Sequence, residues 1–118
     1  MPSYRVAIDI HAARPGVAPQ AVLPAAEHLL ARTHRVEDRS VELVRGQPQI
    51  HLRFLVPATS DTAEDDEAEE AVQALVADLA PYAECGRWVI RRGPGSHWRE
   101  IRSGRAQPQD PPDFPVTF

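Results

Sequence analysis

Two short stretches, "YRVAIDIH" at residues 4–11 and "QIHLRFLV" at residues 49–56, constrain this chain more than any others. Each alternates between an apolar face and a mostly polar one, the period-two signature of a strand with one face buried and one wetted. Tyr4, Val6, Ile8 and Ile10 share one face of the first strand, and Ile50, Leu52, Phe54 and Val56 one face of the second. Arg5, Ala7, Asp9 and His11, and likewise His51, Arg53 and Leu55, point the other way. Two such strands predict an antiparallel sheet covered on one side only.

What covers it is legible between and after them. "QAVLPAAEHLLARTHR" spaces Val22, Leu23, Ala26, Leu29 and Leu30 as one helical face, with Pro24 in a first turn, and predicts a helix over about 20–34. "SDTAEDDEAEEAVQALVADLAP" predicts a second helix: Thr62 caps it, Asp65 follows three residues later, and Pro81 stops it. Its buried stripe runs through Ala68, Ala71, Val72, Leu75, Val76 and Leu79. "SVELV" at 40–44 pairs with the second alternating strand across the connection "RGQPQ", "RWVIRR" at 87–92 is a further strand, and "HWREIRS" runs back as an added one.

The order strand, helix, strand, strand, helix, strand is that of an α+β, ferredoxin-like βαββαβ sandwich, with an extra C-terminal strand. At 118 residues one domain is expected, over 1–105, followed by a proline-rich extended tail at 106–118. On that topology the open face gathers Arg5, Asp9, His11, His51, Arg53, Leu55, Arg87, Val89 and Arg91, with Glu42 and Val44 from the edge. Asp9 is expected to pair with Arg53 or Arg87 across the strands.

Charge is segregated. Phe54 to Gly86 holds nine acids and no arginine, whereas the remainder carries thirteen arginines against eight acids. The total absence of lysine and asparagine reads as the codon bias of a GC-rich, bacterial genome. The single Cys85 excludes an intramolecular disulfide and lacks the basic surroundings of a reactive thiol. No apolar run approaches membrane-spanning length, and a cytoplasmic protein with no membrane partner is expected.

Chemistry-bearing motifs are sparse. "RRGPGSH" leads into a strand and is no phosphate loop, and "EDDEAEE" lacks the spacing of a calcium loop. Asp9, His11 and His51 satisfy the ligand count of a metal site, but the arginines beside them would repel a cation, and no cofactor is expected. The open positions of the two central strands carry no aromatic side chain for base stacking, and the net charge is −4, so nucleic acid is not an expected partner.

These observations favour a protein-interaction or assembly module, a homodimer, over an enzyme. Its expected contact residues are Asp65, Asp66, Glu69 and Glu70 toward a basic partner, Trp98 as an aromatic anchor, and Phe114 and Phe118 at the end of the tail, carried by a proline spacer onto an apolar groove. The alternative is a small-molecule binder or enzyme on the open face. There His11 and His51 would serve as general bases beside Asp9, with Arg53 or Arg91 holding an anionic substrate.

Overall fold

The computed structural model describes residues 3–57, 60–93 and 98–106. Strand β1 (Ser3–Ala13) leads through a 3-10 turn at Pro19–Ala21 into helix α1 (Val22–Ala31). Strands β2 (Val36–Val44) and β3 (Gln47–Leu55) form a hairpin, helix α2 (Asp61–Leu79) follows, and β4 (Ala83–Arg92) and β5 (Arg99–Arg105) end the described chain. The result is an α+β fold: one five-stranded antiparallel sheet in the order β2-β3-β1-β4-β5, with two helices.

The alternation of β1 and β3 sets the layers. Tyr4, Val6, Ile8, Leu52 and Phe54 are fully buried and meet Val22, Ala26 and Leu30 of α1 and Ala68, Val72, Leu75, Val76 and Leu79 of α2 in one core. Trp88 and Ile90 of β4 extend it. Their neighbours on the other sheet face, Arg5, Asp9, His51, Arg53 and Arg91, are only half-buried.

Several boundaries differ from expectation, each for a local reason. The cap of α2 is Ser60, not Thr62: the Ser60 hydroxyl accepts from the Ala63 amide at 3.3 Å, and the backbone at Ser60 is still extended. Helix α1 ends at Ala31 instead of 34, because the chain turns there and His34 reaches across to Glu67 at 2.9 Å. Strand β2 begins at Val36, four residues early, since "EDR" is tolerated in an edge strand where no face demands apolar residues. The β2–β3 connection is only two residues, Arg45 and Gly46, both at positive φ (53° and 78°), the turn whose twist matches a tight hairpin.

Candidate functional site

The sheet face turned away from the helices carries the polar residues of interest, in ordered rows. Arg5 lies directly opposite Arg53 on β3 and directly opposite Arg91 on β4. Ala7 faces His51 and Val89, and Asp9 faces Gln49. Asp38 of β2 stands across from Arg53, and Glu100 of β5 across from Arg91.

Asp9 does not pair with Arg53 or Arg87. It accepts a hydrogen bond from Gln49 Nε2 at 2.8 Å, the side chain opposite it in the register. The other end of that amide, Oε1, is 3.2 Å from His51 Nε2, which also lies 3.1 Å from Glu42 Oε2. Both neighbours of Nε2 are acceptors, so the ring proton sits on Nε2. Burial lowers the His51 pKa below 6.5; Arg5 and Arg91 lower it further, and Glu42 opposes them.

His11 is not part of this chain of contacts. Four residues beyond Ala7 along the strand, it lies about 13 Å from the His51 row. The β1–β4 register shifts there, between Ile8 and Ala12. The His11 ring is exposed and lies against Gly86, beside a groove of about 830 Å³ between α2 and the β4–β5 edge. Arg14, Val76, Ala80, Cys85 and Trp88 also line that groove. His11 and His51 therefore do not form a joint acid–base pair, and the groove excludes His51, Arg53 and Arg91. Burial pushes the Cys85 thiol up to about 11, which keeps it protonated and a poor nucleophile at neutral pH. Among the described residues no group of three or more His, Cys, Asp or Glu side chains converges as a metal site would require.

Trp98 occupies the open face. Its ring lies 4.9 Å from the Arg5 guanidinium carbon and 5.5 Å from that of Arg53, and it packs against Gly93. The face thus acquires an aromatic group that neither central strand supplies. Arg53 Nε is buried, 3.4 Å from Glu37 Oε1 but without hydrogen-bond geometry. Arg87 is 3.8 Å from Glu100.

The acids of α2 mostly have partners within the chain. Asp65 accepts from the Tyr4 hydroxyl at 2.7 Å and from Arg92 at 3.0 Å, and Arg92 also reaches Glu64 at 2.8 Å. Arg102 on β5 holds Asp66 at 3.3 Å and Glu69 at 3.1 Å, whereas Glu70 is exposed. The Arg92 cluster escaped the sequence reading. The available signal was Arg92 itself, which shares the inward alternation of Trp88 and Ile90 and so required an acid beneath it. Phe114 and Phe118 lie outside the described residues.

Compared with protein-family models, curated proteins and solved structures, the chain matches none.

Proposed function

We propose that this chain is a protein-interaction module that assembles with a second copy of itself through the β2 edge of its sheet. On this reading the core is a ferredoxin-like βαββαβ arrangement and β5 is an addition that closes the opposite edge. The observation that carries it is the exposure of β2. Every residue after Val36 is exposed, and three of the four large exposed hydrophobic side chains among the described residues lie here: Val41 at 57 %, Leu43 at 73 % and Val44 at 42 %. An edge strand offers unpaired backbone groups, and natural edges are guarded by charge or distortion. Strand β5 is guarded by Arg99, Arg102 and Arg105 and by a register shift, whereas the second half of β2 is guarded only by Glu42.

A twofold axis through an antiparallel pair sets one residue opposite its own copy. Centred on Ser40, it would put Asp38 against the partner's Glu42; centred on Glu42, it would put two glutamates together. Centred on Val41, it pairs Val41 with itself, Arg39 with the partner's Leu43 and Ser40 with the partner's Glu42, with no like charges opposed. The acids of α2 lend the module less support, because Asp65, Asp66 and Glu69 already have arginine partners. A cytoplasmic, bacterial setting belongs to the same proposal and rests on composition alone.

Multi-angle light scattering over a concentration series tests the reading. The wild-type chain should pass from monomer to dimer, and Leu43→Lys should remain monomeric at every concentration, with the unfolding midpoint of the dilute, monomeric wild type. A wild-type chain that stays monomeric throughout removes the proposal.

A further inference from the structure

The row Arg53–Arg5–Arg91 is an arrangement that folding alone does not favour. Three arginines stand directly opposite one another on three adjacent, central strands. Directly opposed residues are about 5 Å apart at Cα, so the three side chains start within about 10 Å of one another. Like charges so placed repel. Among the described residues no acid lies within ion-pair distance of Arg5 or Arg91, and Arg53 keeps an Nε without an acceptor. Acids do stand at the two ends of the row, but Glu37 engages Arg53 and Glu100 leans to Arg87, leaving the centre uncompensated.

Trp98 lies against two members of this row, Arg5 and Arg53. A guanidinium stacked on an indole has its plane occupied by the ring on one side, and its N–H groups project from its edge. With Trp98 over Arg5 and Arg53, two of the three guanidiniums are held close together on the half-buried open face. Forked N–H donors match the oxygens of phosphate in pairs. Three cations spread over about 10 Å match a chain of phosphoryl groups better than a single one.

We propose that Arg5 and Arg53, which lie against Trp98, form together with Arg91 a binding site for the oxyanions of a di- or triphosphate. The site is independent of how the chain assembles, because it uses the open face and not the β2 edge. The same phosphate chain could come free or attached to a nucleoside, and the two sources differ in what the base adds. His51 is a built-in reporter. Arg5 and Arg91 act on it from one side and Glu42 and Gln49 from the other. An anion that neutralises the two arginines should raise its pKa.

Isothermal titration at low salt with inorganic tripolyphosphate, inorganic phosphate, citrate and ATP tests the proposal, alongside NMR titration of the His51 ring. Tripolyphosphate should bind, phosphate and citrate at least about tenfold more weakly. The His51 pKa should rise in the bound state. Arg5→Gln and Arg91→Gln should each weaken tripolyphosphate by about tenfold or more, whereas Arg32→Gln, which removes the same charge beyond α1, should change it less than about twofold. ATP binding like tripolyphosphate assigns the site to the phosphate chain alone, and tighter ATP binding adds a contact to the base. Arg91→Gln relieves repulsion and should unfold no more readily than wild type, so its loss of binding cannot be a loss of fold. Absence of tripolyphosphate binding overturns the proposal. So does equal binding of citrate, or unchanged binding in Arg5→Gln and Arg91→Gln.

Discussion

Arg5 lies directly across the β1–β3 ladder from Arg53, and the ring of Trp98 sits over both. Two like charges face each other at the centre of the sheet, and the indole offsets part of their repulsion. Each exposed cation–π contact is worth about 0.5–1 kcal/mol. Trp98→Ala should therefore lower the unfolding free energy by about 1–2 kcal/mol in urea titrations, and Trp98→Phe by less. A Trp98→Ala chain as stable as wild type would mean that the ring contributes nothing there.

Arg92 presents a stronger dependence. Its guanidinium joins Tyr4, Glu64 and Asp65 between α2 and the sheet, and the three charged side chains are only 15, 11 and 17 % exposed. Removing the cation strands two carboxylates in a poorly hydrated site, which costs about 3 kcal/mol. Arg92→Ala should show that loss in its urea midpoint, and Tyr4→Phe about 1 kcal/mol. Equal effects of the two would argue that the cluster is not a single network.

His51 supplies a pH dependence with a definite sign. Its folded-state pKa lies below 6.5, so between the two values the unfolded chain binds more protons. The contribution of the neutral ring is fully present above 6.5 and is lost as pH falls through the folded-state value. Stability measured from about pH 7 down to pH 5 should fall more steeply in wild type than in His51→Gln. Identical slopes would contradict the lowered pKa.

Two glycines separate a rigid neighbour from a movable one. A Cβ at Gly104 would stand 2.5 Å from Trp88 Cζ2, on a ring only 4 % exposed and packed into the core. At Gly86 the obstacle is the end of the exposed His11 ring. Gly104→Ala should cost about 1–3 kcal/mol, while Gly86→Ala costs less than about 1 because His11 swings away. Thermal melts of the two variants check the order.

The layers of this fold were legible because alternation in "YRVAIDIH" and "QIHLRFLV" and the stripe of α2 each admit one burial pattern. Edges were less legible. Strand β2 is charged in its first half, and nothing in "VEDRS" distinguishes an exposed edge strand from a loop. On the open face, the strand positions of Arg5, Arg53, Asp9 and His51 followed from alternation, but their partners did not. Gln49, a residue with no charge to draw attention, displaced the arginines as the partner of Asp9. Trp98 reached Arg5 from far along the chain, a contact that no local pattern encodes.

Assembly through β2 is tested most directly by a disulfide at the proposed axis. In a Cys85→Ala background, Val41→Cys should oxidise rapidly to a covalent dimer in dilute solution, because a twofold at Val41 brings the two thiols face to face. Ser103→Cys, on the opposite edge strand, should remain monomeric under the same conditions. A Val41→Cys chain that cross-links no faster than Ser103→Cys would contradict pairing of the β2 edges about Val41.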